Sequence, residues 1–194
     1  DPSVLHHDIR SLDHSSGDLY VTTRYGVSII DLTENTSRHS SMVQGVDIMA
    51  STLLSEDGQP YAMVMATSVG MVVSPLQADG QLAEASDWTW ALGPKITAMT
   101  VLHGTDGDAQ LLGLGHAGAG MVVEVDGAGQ LSASHDVGTG IVEALAAANA
   151  SVTALDHGSA AGTTLTLYVG TDRGMLVVDT PSARDEASGL WRFF

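Results

Sequence analysis

Cysteine is absent from the 194 residues, which excludes a disulfide framework and any thiolate metal site. Basic residues are scarce: Lys and Arg total 7 against 23 Asp and Glu, the formal charge is −16, and Lys95 is the only lysine. A phosphate backbone needs a basic stripe, so nucleic acid is not an expected partner, and an anionic membrane is disfavoured for the same reason. Such acidity suits solubility in a salty or extracellular setting. No apolar run approaches 18 residues, because the most apolar segment, IVEALAAANA at 141–150, is interrupted by Glu143. No membrane span is therefore expected. The chain opens on Asp1 and Pro2 without an initiator Met, a basic stretch or an apolar signal core. Either a targeting segment has been removed or the chain starts at an arbitrary point.

Asparagine occurs twice, and both copies lie in glycosylation acceptor triplets, Asn35-Thr36-Ser37 and Asn149-Ala150-Ser151. This favours a secreted protein, extracellular or in an organelle lumen, glycosylated at Asn35 and Asn149.

What the chain does contain is repetition. DLYVTTRYGVSIID (18–31), YAMVMATSVGMVVS (61–74), QLLGLGHAGAGMVVEVD (110–126) and LYVGTDRGMLVVD (167–179) are variants of one phrase, two apolar runs around a polar turn. Aligned on Gly26, Gly70, Gly120 and Gly174 the copies are 44, 50 and 54 residues apart. That period belongs to propeller blades rather than to most helical or leucine-rich repeats. The Val- and Met-rich runs alternate with period two, as half-buried strands do, and helical periodicity is nearly absent. A full unit reads as an inner strand (ITAMTVL, VTALD), a polar loop, the LYVGT strand, a turn ending in glycine, a third strand, and a second hairpin to a fourth. Asp79-Gly80 and Asp126-Gly127 sit where that second hairpin needs positive φ. Trp88, Trp90, Trp191 and Phe193 on the outer strands are expected between blades, and small residues, Ala98, Thr153 and Ala154, toward the axis.

These phrases resemble the blades of regulator-type, NHL-like and quinoprotein-like β-propellers, in which LYVGT followed by a glycine turn and VVD is typical. The resemblance runs through the whole chain in four units but fixes no subfamily: the Trp-Asp ending of WD40 repeats, the complete sialidase box and the calcium loop of integrin-like blades are all missing. It implies an all-β fold of four four-stranded antiparallel blades, residues 4–45, 46–93, 94–148 and 149–194, forming one domain. The ring is either closed by these four blades or half of a larger ring completed by another chain or a second copy.

In propellers the turns between second and third strands surround one mouth of the channel. Here they place Arg24, Tyr25, Ser68, His116, Asp172 and Arg173 around one opening, and two of the six arginines fall among them, which suits a carboxylate or sulfate ligand. The same positions are equally explained as solvated turn residues. His14, His103 and His157 occupy equivalent first loops, but loops of separate blades do not converge on one ion, so repeat inheritance accounts for them and no metal is expected. His6-His7 reads as an edge segment. GTDGDAQ (104–110) and SEDGQ (55–59) lack the ligand spacing of calcium loops and read as Asp-Gly hairpins. No nucleophile elbow or cysteine supports covalent catalysis, and GLGHAGAG has no helix following it to bind phosphate. No cofactor is expected. The favoured reading is a non-catalytic binding or assembly module, a subunit of a larger complex. The alternatives are a propeller hydrolase or lyase acting on a sugar-like or lactone substrate, and a ligand-sensing ectodomain. An enzyme would carry carboxylates or histidines at one axial depth on several blades, where this chain has mainly Ala, Thr and Ile.

Overall fold

The computed structural model describes residues 8–43, 45–103, 109–159, 165–180 and 190–193. Its sixteen strands form four antiparallel sheets, each a plain meander of four consecutive strands. Blade 1 holds β1 (Ile9–Ser15), β2 (Asp18–Thr23), β3 (Gly26–Asp31) and β4 (Thr36–Met42). Blade 2 holds β5 (Ile48–Glu56), β6 (Gln59–Thr67), β7 (Gly70–Pro75) and β8 (Thr89–Leu92). Blade 3 holds β9 (Ala98–His103), β10 (Ala109–Leu114), β11 (Gly120–Val125) and β12 (Leu131–Asp136). Blade 4 holds β13 (Val152–Ser159), β14 (Leu165–Thr171), β15 (Gly174–Thr180) and β16 (Leu190–Phe193). Among the described residues there is one α-helix, α1 (Thr139–Ala148), in the link from blade 3 to blade 4. It is the apolar IVEALAAANA segment, and its Ile141, Ala144 and Leu145 are buried among residues of blades 3 and 4.

The hairpins follow from local chemistry. Ser16-Gly17 and Asp57-Gly58 both take positive φ, the twist that a two-residue hairpin needs, so SEDGQ is the expected Asp-Gly turn. The second hairpins differ from the sequence expectation at one place. Gly80 has φ +80°, but in the third unit the positive-φ residue is Gly129, at +75°, rather than Gly127. Asp126 opens that turn, its carboxylate accepting from the N–H groups of Ala128 and Gln130, so Asp126 matches Gln77 and Gly129 matches Gly80.

Three blades share a Thr-x-x-Gly turn between second and third strands. The hydroxyls of Thr23, Thr67 and Thr171 donate to the carbonyls of Gly26, Gly70 and Gly174, and accept from the N–H two residues on. Gly70 has φ +124°, and a Cβ there would come 2.1 Å from the Ala91 carbonyl, so only glycine fits. Blade 3 lacks the threonine. Its hairpin continues to a Gly115–Ala119 pair and turns on His116, Ala117 and Gly118, which puts Ala119, not Gly120, at the place of Gly70. Facing confirms the shift: Met71, just after Gly70, packs toward the next blade, whereas Met121, just after Gly120, packs toward the previous one.

The core is three separate apolar clusters, each a seam between consecutive blades. Tyr20, Val27 and Ile29 of blade 1 meet Met63, Met65 and Val72 of blade 2. Val64, Met71 and Val73 of blade 2 meet Leu111, Met121 and Val123 of blade 3. Leu112, Leu114 and Val122 of blade 3 meet Leu167, Val169, Leu176 and Val178 of blade 4. No such cluster joins blade 4 to blade 1 among the described residues. Trp88 is in the first seam, its indole N–H donating to the Ala83 carbonyl, while Trp90 is exposed. Of the small residues expected at the axis, Ala98 is buried in the third seam and Thr153 and Ala154 are exposed. The side chains of Trp191, Phe193 and His103, together with His6, His7 and residues 104–108, lie outside the described residues.

Candidate functional site

The turns that carry Arg24, Tyr25, Ser68, His116, Asp172 and Arg173 also receive the links between blades. Each link is laced to the turns on both sides of it. Ile48 N–H, at the start of β5, donates to the Arg24 carbonyl, and Ile96 and Thr97 N–H donate to the carbonyls of Thr67 and Leu114. Ser68 and Asp172 perform one task in different blades. The Ser68 N–H donates to the Asp47 carbonyl while its hydroxyl accepts from Asp47 N–H at 3.2 Å. The Asp172 N–H donates to the Ser151 carbonyl while its carboxylate accepts from Ser151 N–H at 2.8 Å.

By their contacts the six residues fall into two groups. In the first, the Arg24 guanidinium pairs with Asp47 at 2.6 Å and stacks over the Tyr25 ring, 5.3 Å from its centroid. The hydrogen bond from Arg24 holds the Asp47 carboxyl below its ordinary range, and Arg24 Nε is buried without a hydrogen-bond partner. In the second, His116 Nδ1 lies 3.0 Å from the Ser151 hydroxyl, beside the Asp172 clasp. Arg173 is exposed, and its guanidinium has no ion-pair partner among the described residues.

Asp47 and Ser151 were not singled out from the sequence. Both sit just before an inner strand, in links whose sequences do not resemble each other, and only their place after the turns relates them. His14 and His157 lie within β1 and β13 and His103 ends β9, so these histidines belong to inner strands rather than loops. Among the described residues no group of three His, Asp or Glu is close enough to hold a metal. No described helix is long and apolar enough to cross a membrane.

Two clefts flank the seams. One, of about 380 Å³, lies between blades 2 and 3 against Leu92, Pro94, Met121 and His135. The other, of about 390 Å³, lies between blades 1 and 2 at the ends of the sheets opposite the Thr-x-x-Gly turns, against Asp18, Arg38 and the Gln77–Gly80 hairpin.

No family profile and no curated protein sequence matches the chain. Solved structures do, and they are β-propellers. BBS1N in its complex with ARL6DN is similar over 94% of this chain and 51% of its own, with 12% identity and a TM-score of 0.58. The Pan2 WD40 domain of Neurospora crassa is similar over 97% of this chain and 53% of its own, with 9% identity and a TM-score of 0.56. An extracellular domain from a B. thetaiotaomicron two-component system is similar over 96% of this chain and 22% of its own, with 14% identity and a TM-score of 0.53. The chain has the β-propeller fold, built of four antiparallel blades. It spans about half the length of the first two propellers it matches.

Proposed function

We propose that the four blades are an open arc of a larger propeller, acting as a non-catalytic protein-interaction and assembly module whose free face on blade 4 receives another blade. One observation carries this reading. Counted from the turn, Tyr168 and Met175 of blade 4 occupy the positions of Val64 and Met71 of blade 2, which face the next blade. Val64 and Met71 are 0% exposed, whereas Tyr168 and Met175 are 44% and 43% exposed. Tyr168 and Met175 are large apolar groups left half-exposed on that face, although Val177 beside them is buried. Similarity to about half the length of BBS1N and of the Pan2 domain supports the arc.

The occupant is a blade with the same packing chemistry, from further chain or a second copy. The matching propellers that form complexes or lie outside the cell make a secreted interaction module the companion proposal. Asn35 and Asn149 are exposed acceptors for glycosylation on this view, and both have positive φ, which asparagine tolerates better than most residues. The turn face, on which Arg173 has no ion-pair partner among the described residues and which also carries Arg24, Tyr25, Ser68, His116 and Asp172, is the second proposed contact surface, suited to an acidic group on a partner.

Mass by light scattering tests the assembly. A concentration-dependent mass above 20.0 kDa, returned to the monomer by Met175→Ser with Tyr168→Ser, is expected. A strictly monomeric chain at all concentrations that also gains nothing from an appended blade would contradict it.

A further inference from the structure

We infer that the cleft between blades 1 and 2 is a binding site for a primary alkylammonium group, either a free amine or the lysine side chain of a partner. Asp18 begins β2 and is turned toward blade 2, with its side chain only 8% exposed. One carboxylate oxygen, Oδ2, accepts from the Arg38 guanidinium at 2.6 Å. The other, Oδ1, has no hydrogen-bond partner among the described residues, and Asp18 lines the cleft. Oδ1 is not sealed from solvent, so it is available to a donor that enters the cleft.

The surroundings of the carboxylate are fixed by further hydrogen bonds. Tyr20 is fixed by donating its hydroxyl to the Gly80 carbonyl at 2.9 Å, and the second Arg38 nitrogen donates to the Asp79 carbonyl at 2.8 Å. Gly80 closes the back wall: a Cβ there would sit 3.0 Å from the Tyr20 hydroxyl and 3.5 Å from Asp18 Oδ2. Arg38 stands among Asp18, Asp31 and Asp79, so the charge near the cleft is negative after the ion pair is counted. An anion is repelled and a cation attracted.

The type of cation follows from what remains free. A guanidinium prefers both oxygens of one carboxylate, and Oδ2 is already taken by Arg38. A compact ammonium needs one strong acceptor and scattered weaker ones, which Oδ1 and the Gln59 and Gln77 amides of the lining can supply. Pro60 and Leu76 line the cleft beside them and offer an apolar wall to an alkyl stem. At about 390 Å³ the space lies within the roughly 300–1,000 Å³ common for small-molecule sites.

The test is titration of the whole chain with n-butylammonium chloride, followed by NMR shifts of blade 1 and blade 2 amides. Saturable shifts are expected, with n-butanol and methylguanidinium binding more weakly. Asp18→Asn should weaken binding about tenfold or more, as loss of a charged hydrogen bond does. Gln77→Lys, at an exposed position, should block the cleft with a tethered ammonium without disturbing the fold. Glu143→Gln, exposed on α1 between blades 3 and 4, should bind as the parent does. An N-acetyl-lysine amide binding more tightly than butylammonium assigns the site to a protein side chain, and equal binding assigns it to a free amine. Unsaturable shifts, tighter methylguanidinium binding, or unchanged affinity in both Asp18→Asn and Gln77→Lys would overturn the site.

Discussion

Blades 2 and 4 are built from the same phrase and differ in what covers them. In β6, every residue from Ala62 to Thr67 is buried, because blade 1 lies on one face and blade 3 on the other. In β14, Leu167 and Val169 are buried against blade 3 while Tyr168 between them stands in solvent. The ladder, the Thr-x-x-Gly turn and the alternation are the same in both. A blade is thus specified locally, but its burial is supplied by neighbours, as expected where each repeat hides its apolar face only by stacking. Blade 1 differs again: Val21 and Ser28, which point away from blade 2, are buried yet belong to none of the three seams.

Substitutions at matched positions sharpen the contrast. The largest effect is expected in the core: Met65→Ala, in the seam with blade 1, should cost about 2–5 kcal/mol in urea unfolding, whereas Met175→Ser should change the monomer by less than about 0.5 kcal/mol. Gly70→Ala comes next, at about 2–3 kcal/mol, since the new Cβ meets the Ala91 carbonyl at an unfavourable φ. Thr67→Val should cost about 1–2 kcal/mol because it strips a buried turn of its hydroxyl, and Thr171→Val in the more exposed turn of blade 4 should cost less.

Individual carboxylates also differ in their response to acid. Asp47, held low by Arg24, and Asp31, held low by the Glu34 and Thr33 N–H groups, have folded pKa values below their unfolded ones. Their contribution is complete above about pH 4 and is lost as pH falls through the folded values. Asp47→Asn should flatten the acid limb of a thermal-stability profile. The smallest effect is at Asp13, raised by burial that outweighs the lowering hydrogen bonds with the Leu53 backbone and the Ser51 side chain, so its folded pKa lies above the unfolded one. It weakens the fold as pH rises through that value, so Asp13→Asn should raise the melting temperature slightly at pH 7 and not at pH 3.

Period and alternation made the four blades readable before any coordinates, because both are local properties of strands and turns. The register of blade 3 was not readable: GHAGAG holds five glycine and alanine residues, several of which could end a hairpin, and only the Gly115–Ala119 pair and the facing of Met121 decide among them. The helix α1 was hidden for another reason. Its apolar face is buried in a seam rather than repeated, so nothing in the other units announces it. At the turns, the residue types were legible and their partners were not. Ser68 and Asp172 read as free polar groups because Asp47 and Ser151, which they hold, sit 21 residues away in each case. The Asp18–Arg38 pair is likewise 20 residues apart, in strands that do not pair with each other.

The arc itself is tested most directly by distances between spin labels, which the absence of native cysteine makes simple. Tyr25, Val69 and Arg173 hold the same place in the turns of blades 1, 2 and 4. Labels on Tyr25→Cys with Val69→Cys report adjacent blades, and labels on Tyr25→Cys with Arg173→Cys report the two ends. An open arc predicts a clearly longer distance for the second pair in the magnetically diluted monomer. Equal distances would mean that blade 4 sits against blade 1, and the arc would be a closed ring.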